Sequence, residues 1–377
     1  MIPLSEPSLG GNEARYLREC IDTGYVSSAG PFVGRFEREF AAAVGAPRAV
    51  ACASGTAALH VALLAAGAGP GSVVAVSDFT FIASANAAHY TGAALLLVDS
   101  EPETWNMNTE LLHDEVVRRA RLGRPIPDIV EVVHVLGHPA RMEPLFELRD
   151  RFWIDIVEDA AESLGASWTE GTLAGRQVGT AGGAGCFSFN GNKIITAGGG
   201  GAIVTADHEL ADVAARLSDQ AKAPGEHYRH DDVGFNYRLT NIAAAVASAQ
   251  LEQLPDKVAA KRALAARYRE SLRPLPVTPP PSADWADPTF WLYSILLDDP
   301  GLDPAKLVAA LAADGIQTRR LWPPLHDQRP YRSADRIGGA VADDLYRRGL
   351  SLPSSAHLSE HDQRTVVAAL ASILAAS

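Results

Sequence analysis

The sequence contains little cysteine, no long hydrophobic run and fewer basic than acidic residues. Cys20, Cys52 and Cys186 lie far apart and form no CxxC pair, which argues against a disulfide framework and a zinc knuckle. No stretch approaches the ~20 consecutive apolar residues of a membrane-spanning helix, and residues 1–10 lack the features of a secretion signal. We therefore expect a cytoplasmic protein with reduced thiols and no membrane contact.

The charge and the histidine spacing exclude two further kinds of ligand. With 33 Lys and Arg against 45 Asp and Glu, the net charge of -12 gives no general field that would gather nucleic acid. An anionic ligand must therefore be held locally. His134 and His138 lie four residues apart, but in a strand-to-loop segment, so the helical spacing that lets two histidines share a metal does not apply. We expect no metal site.

Short apolar runs alternate with longer helical patterns in the first part of the chain. The apolar runs predict strands at residues 73–76, 94–98, 129–135 and 153–157, and at 186–190 and 201–205 around a glycine-rich turn. The patterns between them predict helices at residues 56–66, 83–90, 111–121 and 144–151. This alternation is typical of an α/β domain with a wound, mainly parallel sheet.

The pattern changes towards the C-terminus. Residues 241–272 predict one or two long helices, and residues 274–288 form a break rich in proline. A strand at 290–297 and helices at 304–314, 340–348 and 359–375 then predict a smaller α+β domain. Because 377 residues exceed the usual size of one domain, we assign residues 1–250 to a large domain and residues 251–377, with the linking helix, to a small one.

Two carboxylates end the apolar strand at residues 153–157. Asp159 follows the strand, and open α/β sheets bind ligands at the carboxyl ends of their strands. The alternative is a helix N-cap, because Glu162 follows three residues later as in a capping box. Both interpretations remain open from these residues alone.

Two further segments have the chemistry of a ligand site. Gly55 and Thr56 open a helix after a small turn, where free N–H groups and the helix dipole favour a phosphate, although many such helix starts bind nothing. Lys193 follows a strand among glycines, where neighbours can lower its pKa as an imine-forming lysine requires, although most lysines are simply solvated.

Motifs in a fixed order extend over nearly the whole chain. They are residues 2–7, 23–28, 54–56, 79–83, 103–107, 158–161, 187–193, 198–201, 234–238, 315–319 and 348–353. This ordered set resembles the DegT/DnrJ/EryC1/StrS family of sugar aminotransferases, within the aspartate aminotransferase class, fold type I. The resemblance implies pyridoxal 5′-phosphate, and its aminated form, as the cofactor.

The resemblance also implies roles for particular residues. Lys193 would bind the cofactor as an imine and later act as the base, and Asp159 would keep the pyridine nitrogen protonated. Phe81 would stack on the ring, and Gly55, Thr56 and Ser188 would hold the phosphate. Family members are dimers in which an asparagine of the partner subunit reaches that phosphate, and the matching residue is Asn236; a loop residue bonding its own backbone is the alternative.

The substrate side is indicated less directly. A diphosphate-linked sugar needs cations at the mouth of the site, for which Arg229, Arg238, Arg319 and Arg320 are candidates, although surface arginines are commonly just solvated. His326 lies where the family brings the small domain to the substrate, with structural packing as the alternative.

The chain departs from many family members at two places. Glu162 stands where many have glutamine or histidine, and residues 198–201 are all glycine. These variants resemble the branch that aminates UDP-linked 4-keto-6-deoxy amino sugars, which implies such a substrate and glutamate as the donor. A cyclitol or other keto sugar as substrate, and a regulatory protein that binds the cofactor without turnover, are the alternatives. The glycine-rich stretch at residues 179–185 is expected to loosen this region.

Overall fold

The computed structural model describes residues 1–223 and 228–376. Its helices are α1 (Glu13–Thr23), α2 (Pro31–Val44), α3 (Gly55–Ala65), α4 (Ala83–Tyr90), α5 (Thr109–Arg121), α6 (Glu143–Phe152), α7 (His208–Ser218), α8 (Asn241–Leu251), α9 (Leu254–Leu272), α10 (Pro304–Ala313), α11 (Ala340–Arg348) and α12 (Glu360–Ala376). Its strands are β1 (Arg48–Cys52), β2 (Val73–Ser77), β3 (Ala94–Val98), β4 (Ile129–Val133), β5 (Asp155–Asp159), β6 (Ser167–Trp168), β7 (Ala184–Ser188), β8 (Gly201–Thr205), β9 (Val277–Thr278), β10 (Ala286–Asp287), β11 (Tyr293–Leu297), β12 (Arg319–Arg320), β13 (Asp335–Ile337) and β14 (Gly349–Leu352).

An eight-stranded sheet forms the centre of the fold, in the order β1-β8-β7-β5-β4-β2-β3-β13. The six neighbouring strands β7, β5, β4, β2, β3 and β13 pair in parallel. Strand β8 pairs antiparallel with both β7 and β1. The predicted mainly parallel sheet is therefore confirmed. Pairing of Asp159 with Val133 on one side and with Cys186 on the other brings the carboxyl ends of β4, β5 and β7 to one edge.

Helices cover both faces of this sheet. One face packs against α2 and α8 through a buried aromatic group, in which Phe40 meets the rings of Phe187 and Phe189 edge to face at 5.1 and 5.2 Å. The other face lies under α3, α4 and α7. The side chain of Ser54 caps α3 by accepting a hydrogen bond from the Ala57 N–H, so that helix begins directly at the carboxyl end of β1.

A four-stranded antiparallel sheet, β12-β14-β11-β9, packs against α9, α10 and α12. The predicted strand at 290–297 begins only at Tyr293, because Phe290 has a φ of 50° and breaks the extended backbone. The C-terminal part of the chain also adds β13 to the edge of the large sheet beside β3. The domain boundary at 250/251 falls within the last turn of α8 and stays a prediction.

Among residues 1–223 and 228–376, no helix combines the length and the apolar character needed to cross a membrane.

Candidate active site

A cavity of about 520 Å³ opens at the carboxyl edge of the large sheet, beside the small sheet. It brings together most of the site residues predicted from the sequence. These are Gly55, Thr56, Phe81, Asp159, Glu162, Ser188, Lys193 and Arg319. Their convergence from five separate segments of the chain makes this cavity the candidate active site.

A larger hollow of about 640 Å³ lies between α5 and β13. Its arginines Arg118 and Arg119 are paired with Glu115, and Arg119 also pairs with Asp335. The smaller cavity is the better candidate, because burial shifts the pKa of Asp159, Glu162 and Lys193 there, whereas Arg118, Arg119 and Glu115 in the larger hollow are paired with one another.

The N-terminus of α3 forms one wall of the cavity. The first N–H groups of a helix have no carbonyl four residues earlier in the helix, so those of Gly55 and Thr56 are available to a ligand. A Cβ atom at Gly55 would lie 2.8 Å from the Cβ of Ser188. Glycine is therefore required for α3 to approach β7 this closely, and the hydroxyl of Ser188 lies beside the helix terminus.

Asp159 lies at the end of β5 and is buried. Its Oδ2 accepts a hydrogen bond from the Ser84 hydroxyl at 2.8 Å, and its Oδ1 accepts one from the Ala161 N–H at 3.0 Å. Burial raises the pKa of this carboxyl, although both hydrogen bonds act in the opposite direction. The N-cap alternative is wrong, because the chain after Asp159 forms turns and no helix begins there.

Lys193 lies in the loop between β7 and β8, in a turn closed by a hydrogen bond from its N–H to the Asn190 carbonyl. Its Nζ is 3.8 Å from Oε1 of Glu162 and 3.9 Å from the centre of the Trp291 ring. Burial lowers the pKa of this amine, and the charges of Glu162 and Asp159 oppose that shift. The amine thus has the reduced basicity that a nucleophilic lysine needs.

Glu162 faces Lys193 from the segment after β5. Its Oε2 accepts a hydrogen bond from the Leu136 N–H at 2.8 Å. Burial raises the pKa of its carboxyl to about 7, against the opposing charge of Lys193. Glu162 is therefore a second buried carboxyl of the cavity and not a capping residue.

The glycine-rich stretch at residues 179–185 is held firmly, contrary to the expectation that it loosens the region. The N–H groups of Gly179, Ala181 and Gly182 donate to the carboxylate of Glu158 at 2.6 to 2.8 Å. A Cβ at Gly185 would lie 2.0 Å from the Gly179 carbonyl oxygen. The glycines thus allow the chain to wrap closely around the residue next to Asp159.

Five predicted residues do not line the cavity. Arg229 is exposed and pairs with Asp231, and Arg238 pairs with Glu37. Asn236 is exposed away from the cavity of its own chain.

The ring of His326 lies between the carboxylates of Asp78 and Asp343, at 2.5 and 3.4 Å. For His326 the structure favours the packing alternative over substrate contact, because both ring nitrogens face carboxylates of the same chain. Arg320, the fourth arginine considered, lies over the Tyr346 ring.

Sequence reasoning missed Ser84, Trp291 and Trp322, which also line the cavity. Ser84 contacts Asp159 across 75 residues of sequence, so only its place beside the 79–83 motif could have indicated it. The indole rings of Trp291 and Trp322 are nearly parallel, with centres 6.4 Å apart. Nothing local in the sequence distinguishes them from core residues.

Comparisons with known proteins all point to one family. The profile of the DegT/DnrJ/EryC1/StrS aminotransferase family matches residues 7–371. GDP-perosamine synthase of Caulobacter vibrioides is 39% identical over 377 residues, covering 99% of this chain and 98% of the relative. EpsN of Bacillus subtilis, described by its name as a pyridoxal phosphate-dependent aminotransferase, is 39% identical over 374 residues, covering 98% and 95%.

A solved structure of a DegT DnrJ EryC1 StrS aminotransferase from Brucella abortus superposes with a TM-score of 0.89 at 31% identity, covering 96% of this chain and 95% of that one. The fold class predicted from the sequence, an α/β aminotransferase, is thereby confirmed. The length of these matches and their identity show that the chain belongs to the DegT/DnrJ/EryC1/StrS aminotransferase family.

Proposed function

We propose that this aminotransferase uses pyridoxal 5′-phosphate to convert a nucleotide-linked 4-keto-6-deoxy sugar into the 4-amino sugar, with glutamate as the amino donor. The observation that carries the proposal is the placement of Lys193, Asp159 and the N-terminus of α3 around one cavity. The names of the relatives support a sugar nucleotide as substrate.

The residues of the cavity fit the cofactor at three points. A phosphate group suits the free N–H groups of Gly55 and Thr56 with the Ser188 hydroxyl. A protonated ring nitrogen suits Asp159, whose buried carboxyl has neutral hydrogen-bond donors at both oxygens and gains a cationic one. An aldehyde suits Lys193, because its amine has reduced basicity.

When bound, the cofactor supplies an electron sink that lets an amino group move between two carbon skeletons. Lys193 would hold the cofactor through Nζ, and the same amine, once free, would be the base that moves a proton. Asp159 keeps the ring nitrogen protonated, and Ser84 fixes the orientation of that carboxylate. Phe81, whose side chain is half-exposed at the cavity, stacks on the ring.

The sugar lies against the aromatic wall in this proposal. A 6-deoxy sugar carries a methyl group where other hexoses carry a hydroxymethyl group, and an apolar wall of Trp291 and Trp322 favours the methyl group. Arg319 lines the same cavity and is the cation for the diphosphate or for the carboxylate of the donor. The UDP linkage predicted from the sequence stays a prediction, and GDP is the competing nucleotide because of the named relatives.

A homodimer with shared sites belongs to the same proposal. Asn236 is exposed in the segment that also carries Tyr228 and Val233, which are 87% and 79% exposed. Exposed apolar side chains that lie close together in the chain favour burial against a second copy. Asn236 of one subunit would then reach the phosphate in the other.

A cytoplasmic location is proposed as well, since the free cysteines are all buried thiols and the substrates are sugar nucleotides.

The substrate is tested with purified protein supplied with pyridoxal phosphate, glutamate and 4-keto-6-deoxy sugars linked to UDP or GDP. We expect 2-oxoglutarate and amino sugar in equal amounts with one of these nucleotides. Borohydride reduction followed by peptide mass spectrometry should place the cofactor on Lys193, and Lys193→Ala should lose both the attachment and turnover. Turnover with only free keto sugars or cyclitols would refute the substrate proposal, and a cofactor that glutamate never converts would refute the donor.

Sharing of the site is tested by mixing two inactive variants, Lys193→Ala and Asn236→Ala. If each site combines Lys193 of one subunit with Asn236 of the other, a mixed dimer contains one intact site. Random exchange then restores about a quarter of the wild-type activity. If both residues act within one chain, the mixed dimer contains no intact site, and the absence of recovery would refute the shared site. Light scattering of each variant controls for loss of the dimer.

A further inference from the structure

One tryptophan contacts both the backbone beside Lys193 and the end of its side chain. The indole N–H of Trp291 donates to the Asn192 carbonyl at 2.6 Å, and the same carbonyl accepts from the Ser5 hydroxyl at 3.2 Å. The amine of Lys193 lies over the Trp291 ring, with 3.9 Å between Nζ and the centre of the ring. Trp291 therefore touches the lysine loop at two places.

The backbone of Trp291 is fixed at both of its polar groups. Its N–H donates to the Leu136 carbonyl at 3.1 Å, and its carbonyl accepts from Nζ of the buried Lys261 at 2.8 Å. Together with the indole N–H, these hydrogen bonds join Trp291 to the turn at residues 135–137, to α9 and to the loop that carries Lys193. The place of the ring is therefore set from several directions.

The turn at residues 135–137 and the segment before β11 approach each other very closely. Gly137 has a φ of 97°, and a Cβ atom there would lie 2.9 Å from the Phe290 nitrogen and 3.0 Å from the Trp291 nitrogen. Leu136 and Phe290, one on each side of this contact, have φ values of 55° and 50°. Residues other than glycine keep such values only where the surrounding contacts hold them. The contact that places Trp291 is therefore a firmly built part of the fold.

We propose that Trp291 is a positioning residue that keeps Nζ of Lys193 at one place in the cavity. The stem of a lysine is long and flexible, so an amine released from the cofactor could otherwise swing away. The face of an indole attracts an ammonium group, and Oε1 of Glu162 lies 3.8 Å from the same nitrogen. The inference rests on the proposed role of Lys193 and extends it, because the freed amine then stays where it acts.

Three variants separate the position of the amine from the stability of the fold. Trp291→Leu removes the ring and the indole N–H, whereas Trp291→Phe keeps an aromatic face and loses only the N–H. Trp168→Phe is the matched control, because the indole N–H of Trp168 donates to the Ala140 carbonyl at 2.9 Å. Trp168 is 3% exposed, as is Trp291, and it is not among the described residues that line the cavity.

The first readout is the NMR spectrum of the protein without cofactor, labelled with lysine that carries carbon-13 at Cε. The chain has five lysines, so the spectrum is simple, and the Lys193 signal is assigned by its loss in Lys193→Arg. In the wild type the Cε protons of Lys193 should be shifted upfield by the ring current of Trp291. This shift should disappear in Trp291→Leu, remain in part in Trp291→Phe and be unchanged in Trp168→Phe.

The second readout is the glutamate half-reaction of the protein loaded with cofactor. A catalytic group displaced by about 1 Å can lose about 100-fold in rate, which is the loss expected of the rate constant in Trp291→Leu. The KM for glutamate should change little, because a positioned base acts in the transition state. Trp291→Phe should recover the rate in part. Trp168→Phe should react like the wild type, although it loses a similar hydrogen bond.

A wild-type Lys193 signal at the position of a solvated lysine, or one that Trp291→Leu leaves unmoved, would overturn the proposal. Equal half-reaction rates in Trp291→Phe and Trp168→Phe would overturn it as well, and this comparison with the wild-type spectrum stays decisive if Trp291→Leu does not fold. The proposed function stands in either case if borohydride reduction places the cofactor on Lys193. Failure of every sugar nucleotide as substrate has the reverse meaning, because neither readout uses the sugar.

Discussion

Two buried glutamates on neighbouring strands should respond in opposite ways to replacement by glutamine. Glu158 on β5 and Glu131 on β4 are both 0% exposed. Oε1 of Glu158 accepts from the N–H groups of Ala181 and Gly182 at 2.7 and 2.6 Å. Its Oε2 accepts from the Gly179 N–H and from Nε2 of His134, both at 2.8 Å. Four donors therefore converge on one carboxylate.

The magnitude for Glu158→Gln follows from this geometry. Nδ1 of His134 accepts from the Ala140 N–H at 3.0 Å, so the proton of a neutral ring lies on Nε2, which donates to Glu158. In either orientation the amide NH₂ of glutamine faces two of the four donors and leaves them without an acceptor. At about 1 to 3 kcal/mol for each buried unpaired group, the free energy of unfolding should fall by about 4 kcal/mol.

Glu131 is the matched control, because no donor among the described residues reaches either of its oxygens. Burial raises its pKa well above the usual value, and the charge of Asp159 adds to this. A carboxyl with a raised folded pKa contributes stability that is complete below pH 4.5 and is lost as pH rises towards that folded pKa. As pH rises through this range, the free energy of unfolding of the wild type should fall by about 1.4 kcal/mol per pH unit relative to that of Glu131→Gln. At neutral pH Glu131→Gln should be at least as stable as the wild type.

Glu158 should show the opposite pH dependence. Its pKa is lowered although burial alone raises it, because hydrogen bonds from His134 and from the backbone outweigh burial. Its stabilising contribution is present above pH 4.5 and is lost as pH falls through the lowered value, so the deficit of Glu158→Gln should shrink in acid. Denaturant unfolding without cofactor, followed by tryptophan fluorescence and circular dichroism, measures these differences. A loss below 1 kcal/mol for Glu158→Gln, or an equal loss for Glu131→Gln, would refute the reasoning.

Three further substitutions test contacts around the cavity. Burial lowers the pKa of Lys261 to about 7, so between pH 7 and 10 the unfolded chain binds a proton that the folded chain does not. Over this range the free energy of unfolding of the wild type, measured with denaturant, should rise by about 1.4 kcal/mol per pH unit relative to Lys261→Met. Trp291→Phe should lower the free energy of unfolding by about 1 kcal/mol, because the indole N–H donates to the Asn192 carbonyl at 2.6 Å. Ser84→Ala should weaken cofactor binding about 10-fold by spectroscopic titration, because Asp159 loses the hydroxyl that holds it; an unchanged affinity would contradict that role.

The sequence predicted those parts of the fold whose signals are local. The strands at 73–76 and 94–98 and the helix at 83–90 agree with β2, β3 and α4 within one residue, since the strands are apolar runs and the helix is an alanine-rich stretch between turns. Helix α2 went unpredicted although its signals are present, with Pro31 at its first position and Gly45 at its end with a φ of 74°. Strand β13 has no such signal, because three residues become a strand only where the edge of β3 is available to pair.

The site shows the same division between local and distant information. Motifs at strand ends indicated Asp159 and Lys193, and the structure places both in one cavity. The helix cap considered as the alternative at Asp159 does not form, because the carboxylate of Glu162 is bound by the Leu136 N–H instead of a local one. That partner lies 26 residues earlier, in a turn whose backbone no pattern in the sequence predicts. The contact of His326 with Asp78 was hidden for a similar reason, since Asp78 lies 248 residues away.

The net charge of -12 and an anionic cofactor are compatible because of where the charges lie. The proposed phosphate end of the cavity consists of backbone N–H groups and hydroxyls, which carry no net charge and need no general basic field. Charges on the outer surface are screened beyond about 8 Å at physiological salt, whereas the dipole at the start of α3 acts at contact distance. The charged groups inside, Lys193 with Glu162 and Asp159, are close enough to set each other's acidity. An acidic surface therefore excludes a polyanion that would spread across it, and it does not exclude a single phosphate held at one helix terminus.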